Sequence, residues 1–366
     1  MQSLKDNDDQ LARAQAPGER LRLLQDRAVL LARRESLADS EAALGEAEKL
    51  HAAVSDGCAQ LRTRYARAVH DYFSRQFKKA SNALLEVLDE ARDHCPRELQ
   101  GEIQSALALF TQRDGDVRAS AYHARAVLAN RSATPESRYR ALLALASLHQ
   151  DAYDHGNAVA LYREAEQIAL ESRDDIGRAS CLLRMAATRA SQARQAAAAA
   201  GRPDLEVIER VADEIAHSID FARGLAALQE RNLEALLLAE MRMLQGRFDV
   251  ALKLYDEHLP DADGQGRLPE VTAAISDRAH CLLRLGRAEA ALAGAQSALA
   301  RLDDWTPADI RAIVQDNMAT VRASRGEREL AEQHRVLARM AWQAHAHAQR
   351  EALRVLQGGA PPTLME

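Results

Sequence analysis

Large rings are scarce in this sequence: Phe, Trp and Tyr together make up 4% of its 366 residues. Turn formers are few as well, with 17 glycines and 9 prolines. Such a chain is neither collagenous nor a Gly/Pro-rich all-β protein, and a 47% apolar content excludes disorder driven by composition. Any core must be filled by small aliphatic side chains at close backbone spacing. Lysine is nearly missing, at 5 of the 48 basic residues, and the abundant arginines are spread along the chain instead of gathered in one block. With a net charge of −6, that spread argues against a nucleic-acid partner, which requires a clustered basic face. Long apolar runs are absent too. The N-terminal MQSLKDNDDQ has no hydrophobic stretch, and no uncharged run reaches the roughly 18 residues of a membrane span. The sequence therefore predicts a cytoplasmic protein with no membrane partner.

The four cysteines, Cys58, Cys95, Cys181 and Cys281, show no CxxC pair and no His at zinc-binding spacing. They read as four free thiols in a reducing compartment. No P-loop, GxGxxG, HExxH, GxSxG or EF-hand loop occurs. His345 and His347 are two apart, so on a helix they face about 200° from each other and cannot share a metal. Neither catalysis, nor a metal, nor a cofactor is expected.

What the chain has instead is a repeat. The segments 236–259, 278–300 and 318–338 each carry a helical run, a Gly turn and a second helical run. Gly246, Gly286 and Gly326 are each followed five residues later by Ala251, Ala291 and Ala331. The Gly ends helix A, and the Ala lets helix B approach it closely. Weaker copies place Ser40, Ala80, Ser120 and Ala158 at the same small site. The period is about 40 residues, with about 13 extra in the fifth repeat. There, helix A runs on through Ala196–Ala200, stops at Gly201-Arg202-Pro203, and Asp204 is placed to cap helix B.

This pattern resembles the tetratricopeptide repeat (TPR) family over residues 18–345. The resemblance rests on the Leu/small or Met/small pairs Leu238-Ala239, Met318-Ala319 and Met185-Ala186, on the Gly246–Ala251 turn, and on the aromatics Tyr162 and Tyr255 four residues past the small site. The long period is most similar to regulatory TPR arrays of bacterial signalling proteins. It implies an all-α, right-handed superhelical solenoid of about eight antiparallel helix pairs. The expected layout is a flexible N-terminus over 1–16, the solenoid over 17–345 with an extended hairpin at 179–222, a continued C-terminal helix over 346–357 and a flexible tail over 358–366. Residues 327–357 hold no Gly or Pro, so that last helix would run roughly 46 Å. Its seam, Leu337, Ala341, Ala344, Ala348, Ala352 and Val355, fits either a cap on the last repeat or a dimer contact.

By the same resemblance, a groove lined by the A helices would bind a protein or peptide. The positions carried over are Arg62, Tyr65, Tyr72, Phe73, Gln112, Arg113, Arg140, Gln150, Arg184, Glu240, Asp277, His280, Arg284 and Asn317, with Asp151, Leu236, Met243 and Asp316 beside them. Tyr65, Tyr72 and Phe73 concentrate aromatics on one helix, either as a peptide anchor or as packing between repeats. Asn317 stands where family members hold a peptide backbone. The expected function is a non-catalytic, regulatory peptide- or protein-binding scaffold, with a homodimer through the last helix or the hairpin open. Two alternatives stand beside it: the sensory region of a bacterial diguanylate cyclase, whose GGDEF motif is absent here, and a small-ligand sensor.

Overall fold

The computed structural model describes residues 4–34, 36–54, 56–223, 231–264 and 269–358. Among them lie seventeen α-helices, one 3-10 turn and no strand. Helix α1 (Leu4–Arg13) precedes eight A/B pairs. The first four are α2 (Pro17–Arg33) with α3 (Leu37–Leu50), α4 (Gly57–Phe73) with α5 (Phe77–His94), α6 (Arg97–Arg113) with α7 (Val117–Ala129), and α8 (Pro135–Asp151) with α9 (His155–Glu171). The rest are α10 (Asp175–Ala200) with α11 (Leu205–Arg223), α12 (Arg231–Leu244) with α13 (Phe248–Gly264), α14 (Pro269–Arg284) with α15 (Ala288–Leu299), and α16 (Ala308–Ser324) with α17 (Arg328–Gly358). This is the all-α helical-repeat architecture that the sequence periodicity predicts.

The small site explains how the helices pair. Ser40, Ala80, Ser120, Ala158, Ala251, Ala291 and Ala331 are all completely buried. Twelve residues before each stands an alanine on helix A: Ala28, Ala68, Ala108, Ala146, Ala239, Ala279 and Ala319. Where the small residue is serine, its hydroxyl donates to that alanine's carbonyl: Ser40 Oγ to Ala28 O at 2.9 Å and Ser120 Oγ to Ala108 O at 2.7 Å. Only a short side chain fits at so close an approach, and the buried hydroxyl has its partner. The spacing is tight: a Cβ added at Gly294 on α15 would lie 3.1 Å from the Cβ of Ala279.

The A-to-B turn requires one left-handed residue. Gly115, Gly246, Gly286 and Gly326 supply it, with φ of 77° to 79°, and so do Arg75 (φ 64°) and Tyr153 (φ 62°). In each turn the next amide reaches back to close the helix end, as Arg247 N does to Arg242 O at 2.9 Å. The second and fourth turns were invisible as glycine signals because Arg75 and Tyr153 accept the left-handed conformation at some cost.

The chain divides into two compact units. The first holds the described residues of Met1–Leu148, Arg163–Asp174 and Val355–Glu366; the second holds His149–Tyr162 and Asp175–Arg354. The first unit has its core around Tyr65, Leu84, Ile103 and Leu107, and the second around Ala239, Tyr255, Cys281 and Met318.

Two sequence expectations change. Residues 4–13, expected to be flexible, form α1 and bury Asn7, whose Nδ2 donates to Leu23 O at 3.0 Å. Cys58 and Cys95, expected to be free thiols, form a disulfide, with Cα atoms 5.5 Å apart; Cys181 and Cys281 are free and buried. The bridge ties the start of α4 to the end of α5, a proximity that residues 37 apart do not announce. The last helix continues to Gly358, and the expected tail lies outside the described residues from 359 on. The extended hairpin is present as α10 and α11, and Asp204 Oδ1 accepts from the amides of Glu206 (3.1 Å) and Val207 (3.2 Å).

Candidate functional site

Within each unit the A helices carry polar side chains that join across neighbouring repeats. In the first unit, Arg62 on α4 donates to Glu102 on α6 at 2.9 Å and to Asp26 on α2 at 3.4 Å. Beside it, Arg33 on α2 donates to Glu136 at 2.7 Å and to the hydroxyl of Tyr65 at 3.3 Å. Arg140 on α8 also bonds Glu136, and Gln112 Nε2 donates to Ser147 Oγ at 2.7 Å. Three arginines and three carboxylates thus neutralise one another. Burial raises the carboxyls of Asp26 and Glu102 even against the pull of Arg62.

In the second unit the array crosses α10, α12, α14 and α16. Arg194 forks onto Asp277 (2.6 and 2.8 Å) and reaches Glu240 at 2.7 Å. Asn317 Nδ2 donates to Asp277 Oδ1 at 2.8 Å and to Ser276 Oγ at 3.0 Å. An ionised carboxylate only accepts, so Asp277 fixes which end of the Asn317 amide faces it. Burial raises the Glu240 carboxyl although Arg194 opposes it; burial of Arg194 is outweighed by Asp277 and Glu240, which hold the guanidinium firmly charged. Further along, Gln150 Oε1 accepts from Thr188 Oγ1 (2.8 Å) and Tyr162 OH (3.1 Å). The Asp151 carboxyl is pushed up to about 6 by its surroundings and by Asp309, with Arg184 pulling the other way.

The candidate residues therefore separate into three groups. Arg62, Gln112 and Arg140 join the first array, and Glu240, Asp277 and Asn317 join the second; Gln150 bonds Thr188 and Tyr162 apart from it, and the charge of Arg184 acts on Asp151. Tyr65 and Tyr72 are buried instead, and Phe73 packs against the same core. Tyr72 stacks on Phe110 at 3.6 Å, with Phe77 edge-on at 5.2 Å, so the packing alternative is the one realised. Arg113 and Arg284 sit at the turns, each over the first aromatic of a B helix: Phe77 at 4.0 Å and Phe248 at 4.5 Å. His280 lies 6.0 Å from Phe248, and burial holds its imidazole below the usual range.

Arg194 was missed because it lies on the extension of α10, outside the regular repeat. Asp26, Arg33, Glu102, Glu136, Thr188 and Ser276 were missed too. A usable signal existed: several polar partners stand one repeat apart, as Arg62 and Glu102 (40 residues), Asp277 and Asn317 (40), and Gln150 and Thr188 (38) do.

The last helix also enters this region. Trp342 packs against the cluster of Ala273, Ile310 and Ile313. His345 Nε2 lies 2.8 Å from Gln349 Nε2 and 3.5 Å from Gln195 Nε2, beside Arg194.

No family model matches the sequence, and no curated protein does. Solved structures do resemble it. One is a Rap protein complexed with competence and sporulation factor, with a TM-score of 0.62 at 11% identity over 92% of this chain and 99% of that one. Another is NprR in complex with its cognate peptide NprX, with a TM-score of 0.58 at 12% identity over 83% and 86% of the two chains. A third is a signal transduction ATPase with a tetratricopeptide repeat sensor from Pyrococcus horikoshii, with a TM-score of 0.59 at 11% identity; 96% of this chain covers 53% of it. At these identities the likeness shows the fold, a TPR-like helical repeat.

Proposed function

We propose that this protein is a non-catalytic regulatory scaffold that binds an extended peptide segment along the A-helix face of its second unit. The supporting observation is the joined array Arg194–Glu240–Asp277–Asn317. Replacing such a buried charged group with apolar side chains commonly leaves a fold as stable or more so, so its presence suits recognition better than stability. With both Nδ2 hydrogens of Asn317 committed to Asp277 and Ser276, its Oδ1 is left to accept a backbone N–H of the bound segment. The two similar structures whose titles name a bound factor or peptide favour the same reading. The partner is a peptide or protein rather than nucleic acid or membrane, because the arginines of these faces are spent on carboxylates. No helix among the described residues is long and apolar enough to cross a membrane. Nothing observed favours the diguanylate cyclase or small-ligand alternatives.

The exposed side chains of Leu330, Val336, Leu337 and Met340 on α17 offer a face for self-association. Mass measurement in solution on the wild type and on Leu337→Asp/Met340→Asp tests it, and a monomeric wild type removes it. The binding reading is tested by panning a displayed library of random nonapeptides. Enriched peptides are expected to bind the wild type and to weaken about tenfold or more on Asn317→Ala or Gln150→Ala, with helicity unchanged. Equal binding by both variants overturns it, as does failure to enrich any peptide on either the wild type or Trp342→Ala.

A further inference from the structure

The peptide-accepting face proposed above is not open. The second half of α17 reaches the helices that carry the polar array: Trp342 packs against Ala273 of α14 and Ile310 and Ile313 of α16, and His345 Nε2 lies 3.5 Å from the Nε2 of Gln195, next to Arg194 on α10. Resting on that reading, we infer that residues 342–354 of α17 are an internal occupant of this face, and that a bound segment must displace them.

Three observations carry this. First, α17 changes its contacts at Ala341. Before it, Ala331, Ala338 and Ala341 are buried as a B helix requires. After it, Trp342 reaches Ala273 on α14 and Ile310 and Ile313 on α16, all on A helices. Second, the hold is slight. Between Trp342 and Arg354 no residue is fully buried, so the indole is the principal anchor and the remaining contacts are polar or partial. A stretch held through one aromatic and partial contacts, between the buried Ala341 and the buried Leu356, is drawn from the less stable part of a structure. Third, the anchor is of the kind a peptide would use: a ring over an aliphatic patch. An incoming aromatic or aliphatic side chain could replace the indole without rebuilding the face.

A self-occupied site binds with its intrinsic affinity divided by the competence that remains. Removing the anchor must therefore tighten binding. The probe is a fluorescein-labelled synthetic copy of the tightest nonapeptide from the display selection, repeated on wild type and on Trp342→Ala. Trp342→Ala is expected to bind it about tenfold tighter or more than wild type. Trp342→Phe, which keeps a smaller ring at the same place, is expected to move the same way by a smaller factor; it keeps the test valid if Trp342→Ala does not fold. In a Trp305→Phe background Trp342 is the sole tryptophan, and its emission is expected to shift to longer wavelength as the probe saturates. Equal or weaker binding by both variants, or an unmoved emission, overturns the inference and leaves the proposed function standing. A selection that yields no peptide on either wild type or Trp342→Ala overturns both.

Discussion

Tyr162 donates its hydroxyl to Gln150 at 3.1 Å, whereas Tyr255, at the same place two repeats later, is fully buried and its hydroxyl has no partner among the described residues. Each is the eighth residue of a B helix. Gln150 is the penultimate residue of α8, and Met243 takes that position in α12, where a thioether replaces the amide. Tyr162→Phe should therefore cost about 1 kcal/mol, while Tyr255→Phe should be neutral or stabilising, since it removes a buried unpaired hydroxyl. Urea unfolding midpoints of the two variants check this, and equal losses would refute it.

The Cys58–Cys95 bridge closes a loop of 37 residues. On the chain-entropy account such a closure is worth about 4 kcal/mol at most. Cys58→Ser/Cys95→Ser, or the wild type under reductant, should lower the midpoint of the first unfolding transition. Alkylation of the unfolded, unreduced protein should modify Cys181 and Cys281 alone; four modified cysteines would contradict the bridge.

Among the described residues Arg194 is the only cation bonded to Asp277, whose side chain is 2% exposed. Arg194→Met should cost about 3 kcal/mol or more, because it strands a buried carboxylate; Arg194→Met with Asp277→Leu should recover much of that loss. A thermal or urea double-mutant cycle reads the coupling, and additive losses would show that the two groups are independent.

The Asp151 carboxyl, raised to about 6, gives a pH signature. Its folded-state value lies above the unfolded value of 3.8, so the folded protein binds the proton more tightly between those limits. Its unfavourable contribution is thus full above about pH 6 and is relieved as pH falls toward 4. Asp151→Asn should raise the melting temperature at pH 7.5 and lose that advantage near pH 4. A gain that persists at pH 4 would rule out the titration.

The sequence by itself determined the repeat, the number of pairs and their inner contact. Ala251, Ala291 and Ala331 could be read because a close helix approach imposes the same small residue at the same offset in every repeat. The turn was legible where Gly246, Gly286 or Gly326 marked it, and hidden where Arg75 or Tyr153 bears the left-handed conformation. Only the tertiary structure decided how polar and aromatic residues are spent. Whether Tyr72 anchors a ligand or stacks on Phe110 depends on the rotation of α4 against α6, which no local pattern encodes. That Arg194 meets Asp277 depends on an extension of α10 that breaks the period. The Cys58–Cys95 bridge depends on two helix ends arriving together. The path of α17 beyond Ala341 was decided the same way: its alanine seam suits a cap or a dimer equally, and the docking of one indole on Ala273, Ile310 and Ile313 turns it toward the A helices.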